Sequence, residues 1–424
     1  MMTGSLLDRL PQEILRLLRL IGSYADQRRV SCYLIGGVVR DLLLGRDNLD
    51  IDIVVESDAV EFCKPLAQRY QTALTVYPRF KTATLTWDHR FVVDFSSTRK
   101  EAYPTPGALP VVVEGTLKDD IFRRDFTINA MAISLNQDNY GTLVDMCRGQ
   151  DDIRSRTIRV FHAKSFEDDP TRILRAIRFQ ERYQFQIAEE TREPLRQAVE
   201  GKFWQYVSAG RYFEEFKKIL KEPNVLCCLD RLQDVGGLSF FSKEIVWTPA
   251  KKDHFKRVQT ILLWMQEQGI DRTALAVWLV YLMILISDQP IEKVQDIVNR
   301  LSLSRHDSRK IISCKLEQEI VKRLDMNCVK PSQVYNVLKS MSAEEILFFL
   351  VKTHGQPPEM CIQNFLTQYR NVHLCTRGED LMRLGICDGK RIGATLQILL
   401  ERKIDAGAMT KEQELSLLQE MDFI

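Results

Sequence analysis

The chain has 424 residues, 45% of them hydrophobic, enough for two to four domains of ~100–200 residues each with a sizeable core. Its net charge of +2 excludes a polycation that holds nucleic acid by overall charge, so any RNA-binding surface must be local. Ten cysteines without a C-x-x-C spacing argue against a zinc site and a disulfide framework, and fit reduced thiols in the cytosol.

Leu7, Leu10, Ile14, Leu17, Leu18 and Ile21 share one face and predict a helix within residues 7–28. Arginines lie inside its apolar pattern, unlike a secretory segment or a membrane span. The stretch Tyr33–Val55 follows, and the rest of the chain is organised around it. The apolar run Tyr33-Leu34-Ile35 predicts a strand that meets Gly36-Gly37. Two glycines let the backbone turn sharply and aim N–H groups at an anion. A helix starting near Val38 adds its N-terminal dipole there, with Arg40 in its first turn within reach of a phosphate. A glycine pair alone is a weak motif, and a plain turn is its bland alternative.

The next strand carries Asp50 and Asp52 on one face, with Ile51 and Ile53 on the other. Residues two apart on a strand lie about 7 Å apart. Such a pair can share one or two Mg²⁺ ions, which prefer hard oxygen ligands. Two such ions can hold an attacking hydroxyl and a leaving pyrophosphate in line. A solvated edge strand is the alternative, and the glycine turn just upstream weighs against it.

Further strands are predicted over Ala73–Tyr77, Thr82–Trp87 and Phe91–Phe95. Asp94, inside the last, is a candidate third carboxylate, as metal ligand or as an aid to deprotonating the hydroxyl. An outward-facing polar residue fits the same pattern. Residues 96–120, broken by Pro104, Pro106, Gly107 and Pro110, read as a long loop. Next, Arg123, Arg124, Asp125 and Asn129 stand among Phe126, Ile128, Ala130 and Met131. A structural salt-bridge cluster is one reading of them. In the other, Arg124 binds phosphate, while Asp125 and Asn129 hold a ribose or orient Arg40.

After a strand, a turn at Gly149 and a short closing element, strand patterns give way to helices. Asp169-Pro170 predicts a helix start, with Asp169 as N-cap and Pro170 at N1. Arg172, Arg175, Arg178 and Arg182 then fall on roughly one face. Residues 154–221 hold 15 Lys/Arg against 10 Asp/Glu. Stacked like charges are costly unless an anion lies across them, so the ladder suits a triphosphate, a base or an RNA backbone. A solvated face with local ion pairs is the alternative. Asp169 and Arg172 can also read a base, the carboxylate accepting from an exocyclic amine and the guanidinium donating. Arg211 and Glu215 sit four apart and predict a structural helix pair. The run Ala274–Ile286, 13 residues without charge, is short of the ~20 a membrane span needs and predicts a buried helix.

Three motifs, LIGGVVRDLLLGR with DID, then RRDFTINAMA, then DDPTRILRAIRF, together resemble the class II tRNA nucleotidyltransferase and bacterial poly(A) polymerase family. Residues 35–185 carry the likeness closely. The second half shares only its helical character and the Gly378–Gly393 pattern. The resemblance implies an α+β head of the polymerase-β nucleotidyltransferase type, a small mixed or antiparallel sheet with helices, followed by an all-α neck, body and tail. The expected divisions are head 1–150, neck 151–222, body 223–330 and a tRNA-binding tail 331–424. It implies Mg²⁺-dependent addition of CMP and AMP to tRNA 3′ ends without a nucleic-acid template, from CTP and ATP, in the cytoplasm. Carried over by position, Asp50 and Asp52 are the metal ligands, with Asp94 as third carboxylate. Gly36, Gly37, Arg40 and Arg124 bind the nucleotide, with Asp125 and Asn129 beside them. Asp169 and Arg172 template the base, assisted by Arg175 and Arg178. Loop 97–114 lacks the paired arginines found in the flexible loop of some full CCA-adding members. Poly(A) polymerase is the alternative within the family, and a non-catalytic RNA- or nucleotide-binding module the alternative outside it.

Overall fold

The structure, a computed structural model, describes residues 5–240, 245–325, 330–407 and 409–420. It divides into two compact units, 1–240 and 241–424.

The first unit opens with a 3₁₀ turn, Leu6–Arg9, and then α1 (Gln12–Arg28). The helix expected over 7–28 is thus broken at Pro11. A residue before proline is pushed to extended backbone, and Leu10 has ψ 153°. Then follow β1 (Cys32–Ile35), α2 (Gly37–Leu44), β2 (Ile51–Val55), α3 (Ala59–Tyr70), β3 (Ala73–Tyr77), β4 (Thr82–Trp87) and β5 (Phe91–Ser97). β6 (Arg99–Ala102), β7 (Val111–Glu114), α4 (Leu117–Phe122), β8 (Ala132–Ser134), β9 (Leu143–Val144) and α5 (Gly149–Arg154) complete the sheet-bearing part.

Seven strands form one mixed sheet in the order β3-β4-β5-β2-β1-β8-β9. Only the β2–β5 pair is parallel, and it sets Asp52 beside Asp94. β-branched and aromatic alternation drives the strands, and the register follows which face is buried. On the back face Ala83, Leu85, Val93 and Phe95 are almost fully buried with Phe62, Cys63 and Leu66 of α3. On the front, Leu117 and Ile121 of α4 pack on Ile35, Val54, Ala130 and Ala132.

Residues 96–120, expected as a loop, are largely ordered. β6 and β7 pair antiparallel, with Arg99 opposite Glu114 and Ala102 opposite Val111. The breakers fall only at the tip, and Val111, Val112 and Val113 supply a strand that the prolines obscured. Gly149, expected as a turn, begins α5 instead.

After β10 (Thr157–Ile158) and α6 (Ser165–Asp168) comes α7 (Thr171–Tyr183), then β11 (Gln186–Ile187), α8 (Glu189–Glu200), α9 (Ala209–Leu220) and α10 (Val225–Asp234). β10 and β11 pair in parallel, a small exception to the expected all-helical character. Asp169, expected as the N-cap with Pro170 at N1, stands one residue ahead of the observed cap, Pro170. Its carboxylate still accepts from the Thr171 amide at 3.1 Å.

The second unit is all-helical among its described residues, from α11 (Pro249–Glu267) and α12 (Val277–Ile286) to the helix Lys411–Glu420. α12 is buried along its whole length. No helix among the described residues is long and apolar enough to cross a membrane.

Candidate active site

Gly36 joins β1 to α2 with φ 86°, a backbone few side chains tolerate. A Cβ there would also sit 3.0 Å from Nη1 of Arg124. No side chain of the protein caps α2, so its first-turn amides remain for an anion. Arg124 is fixed over this turn by Asp120, which is fully buried and takes Arg124 Nη2 at 3.0 Å and Arg123 Nη2 at 2.7 Å. Burial alone would raise the Asp120 pKa, but the two guanidiniums hold it below its usual value.

Asp50 precedes β2, its amide held by Asn48 at 2.8 Å. Asp52 lies within β2 and Asp94 on neighbouring β5. One oxygen from each of the three carboxylates lies within 4.8 Å of the others. Thr84 donates to Asp94 Oδ1 at 2.5 Å. Burial, then the Asp50 charge, pushes the Asp52 carboxyl up to about 6, against the pull of Arg124. A cluster of hard oxygens with one strained member suits a small divalent cation, whose charge would relieve that strain.

A cleft of about 880 Å³ starts at these carboxylates. Every site residue expected from the sequence lines it except Asp94: Gly36, Gly37, Arg40, Asp50, Asp52, Arg124, Asp125, Asn129, Asp169, Arg172, Arg175 and Arg178. Those residues do not all face it in the same way.

Arg40 is buried. It donates to both Asp41 oxygens at 2.9 and 2.8 Å and to Asn129 Oδ1, and its guanidinium lies over the Phe179 and Tyr183 rings of α7 at 5.3 and 4.7 Å. Asp125 accepts from Arg175 at 2.8 and 2.5 Å, from Asn129 at 3.0 Å and from the Phe126 amide. Burial pushes this carboxyl up, but Arg175 and Asn129 outweigh it and hold the pKa at about 2. Arg40, Asp41, Asp125, Asn129 and Arg175 therefore link α2 to α7 along the cleft.

The arginine ladder is paired with carboxylates rather than simply solvated. Arg175 Nη1 lies 3.5 Å from Glu215, Arg178 Nη1 3.4 Å from Glu222 and Arg182 Nε 3.0 Å from Glu222. Arg178 Nε is buried without a hydrogen-bond partner. Burial, then the charge of Arg175, lowers the Arg178 pKa. Arg172 donates to Ser165 Oγ at 2.5 Å and to the Arg123 carbonyl at 2.9 Å, which aligns its guanidinium with the Arg123–Arg124 segment. Asp169 accepts from Thr171 and from Arg211, all through Oδ1, leaving Oδ2 for a ligand's amine.

Arg211 is the residue that sequence reasoning misplaced. Its expected i, i+4 partner, Glu215, faces Arg175 and Arg178. Arg211 instead reaches Asp169 at 3.4 Å and the Gly107 carbonyl at 3.1 Å. Helical spacing favoured the local partner, and no sequence signal pointed 42 residues back. Arg99, Glu101 and Tyr103 also line the cleft, on the hairpin that had read as loop.

Family models match two segments. One described as "Poly A polymerase head domain" covers residues 32–159, and one described as "Probable RNA and SrmB- binding site of polymerase A" covers 184–247. The chain is similar to the A-adding tRNA nucleotidyltransferase of Geobacter sulfurreducens, 34% identical over 414 residues, which is 96% of this chain and 47% of that protein. The A-adding tRNA nucleotidyltransferase of Aquifex aeolicus is 34% identical over 87% of this chain and 44% of its own length. The chain thus spans a little under half the length of these two relatives. A solved CCA-adding enzyme, apo form II, superposes with TM-score 0.78 at 34% identity over 98% of each chain. The Thermotoga maritima CCA-adding enzyme complexed with tRNA-CCA gives TM-score 0.74 at 33% identity, over 98% of this chain and 97% of that one. The α+β head with a helical remainder is the fold of these structures.

Proposed function

The chain belongs to the class II tRNA nucleotidyltransferase and poly(A) polymerase family, and from that premise we propose that it adds CMP and/or AMP to the 3′ end of tRNA. The observation that carries the reading is the cleft that joins Asp50 and Asp52 to the arginine face of α7, with Asp94 clustered beside them. A triphosphate lies along the Gly36-Gly37 turn with Arg124 over it, and the base extends toward Asp169 and Arg172. Asp169 accepts from the exocyclic amine shared by adenine and cytosine, and Arg172 donates to the ring edge. Uracil and guanine present a carbonyl where that amine would be.

Asp50, Asp52 and Asp94 are the residues that would hold Mg²⁺. When bound, Mg²⁺ supplies charge stabilisation to the reacting phosphate and acidifies the attacking hydroxyl. In the transfer itself the tRNA 3′ oxygen bonds to the α-phosphorus. The bond from that phosphorus to the bridging oxygen breaks, and pyrophosphate leaves. Asp94, poised by Thr84, accepts the hydroxyl proton. Arg40, Asp125 and Asn129 position the phosphate turn against α7 rather than touch the reacting atoms. Most of the rate enhancement is then positioning and electrostatics. The cytosol is the place of this work, in keeping with nine free cysteines among the described residues.

The test offers tRNA lacking the whole CCA end, or lacking only the final A, with CTP and ATP singly and together. Incorporation in at least one arm is expected, and the arms sort CCA, CC and A addition. Asp50→Ala should abolish it with an unchanged circular dichroism spectrum. No incorporation in any arm sinks the reading. The poly(A) polymerase head model also matches, and long ATP-only tails on unstructured RNA would favour that activity instead.

A further inference from the structure

Two clefts meet at Asp52. The large one holds the glycine turn and the arginines. The second, of about 370 Å³, lies on the β5 side of Asp52, and its lining includes Tyr77, Thr82, Thr84, Asp94 and Ser96 together with Asp52. Asp52 is the lining residue common to both, among the described residues.

The second cleft is the front face of the outer sheet. Strand pairing sets Tyr77 opposite Thr82 and Thr82 opposite Ser96, in one row across β3, β4 and β5. The next row is Thr75, Thr84, Asp94 and Asp52. The back of these strands is buried, whereas on the front Thr75, Tyr77 and Asp94 are exposed and Thr82, Thr84 and Ser96 half-buried. Tyr77 is 48% exposed on an edge strand.

Among the described residues the lining carries hydroxyls, the Tyr77 ring and Phe95 but no Lys or Arg, unlike the arginine-rich first cleft. It reaches Asp52 from the β5 side and takes in Asp94, whereas the large cleft, with the Gly36 turn and Asp50, reaches Asp52 from the β1 side. An in-line displacement needs its nucleophile opposite the leaving pyrophosphate. We propose that this open face is the acceptor subsite. The 3′-terminal nucleoside of the RNA lies on it, ribose toward Asp94, hydroxyls of Thr82 and Thr84 beside it, and base against the Tyr77 ring. Hydroxyl and aromatic contacts of this kind accept any base, as stacking platforms do. The subsite rests on the transferase reading above.

Two experiments test it on the full chain. Tyr77→Ala should raise KM for the RNA acceptor roughly 10-fold, leave binding of a fluorescent ATP analogue without RNA unchanged, and be rescued by Tyr77→Phe. An unchanged acceptor KM, a matching loss of nucleotide affinity, or failure of the phenylalanine rescue in a folded protein would overturn it. Separately, tRNA ending in 4-thiouridine should cross-link to the segment 73–87 of the wild-type protein, a result that does not need catalysis. Cross-links confined to α7 or to the second unit contradict the subsite. Cross-linking to 73–87 without any nucleotide incorporation would uphold the subsite while sinking the transferase.

Discussion

Asp52 is half-buried beside two other carboxylates, and its pKa rises to about 6 for that reason. Asp125, more deeply buried, moves the other way, to about 2, because Arg175 and Asn129 meet it. The difference separates a group arranged for a cation from a group that holds elements together. For Asp125 the sign is set by a folded pKa below the unfolded value of about 3.9. Its stabilisation is full above pH ~4 and is lost as pH falls toward 2, on the order of 2 kcal/mol. Urea unfolding at several pH values should therefore show wild type losing more stability between pH 4 and pH 2 than Asp125→Asn, which lacks that titration. Equal losses would assign the acid sensitivity elsewhere. The D-x-D pair was legible because period two and hard oxygen chemistry coincide in five residues. The burial of Arg40 was not, because its partners Asn129 and Tyr183 are distant in sequence and only the fold brings them together.

At the scale of elements, α7 does two jobs. Its apolar side, with Ile173, Leu174 and Ile177, is core, while its arginines meet Asp125, Glu215 and Glu222. The ladder was readable from spacing alone, but not which arginines are satisfied inside the protein. Glu222 is buried and takes both Arg178 and Arg182. Truncating Arg178 leaves that carboxylate short of a partner, so Arg178→Ala should lower stability by about 3–5 kcal/mol, the usual cost of breaking a buried pair. Adding Glu222→Gln should recover part of it. A loss under 1 kcal/mol in chemical denaturation would show that Arg182 alone satisfies Glu222. The hairpin of β6 and β7 was missed for an opposite reason: Pro and Gly in its tip, residues 103–110, dominated the local signal over the two short strands. Arg211 then fastens that tip through the Gly107 carbonyl and reaches Asp169 with its other nitrogen. A lone charged residue at the start of α9 carries no sequence trace of that link.

For the molecule as a whole, the first unit carries the carboxylates, the Gly36-Gly37 turn and the arginine face of α7 within residues 1–240. Mixed-sheet strands were predicted almost to the residue over 73–97, since alternation there is strict and one face is wholly apolar. The second unit was legible only as helices, and α12 as buried, because uniform apolar runs state burial but no function. The central claim is that protein side chains, not a nucleic acid, choose the base. It is tested by offering each of the four nucleoside triphosphates alone, with Mg²⁺, to tRNA ending at each stage of CCA synthesis, and comparing kcat/KM for wild type and Asp169→Ala. The account predicts that wild type uses only CTP and/or ATP, and that Asp169→Ala loses at least 10-fold of that preference over UTP and GTP. Equal use of all four by wild type, or an unaltered preference in a folded Asp169→Ala protein, would contradict it.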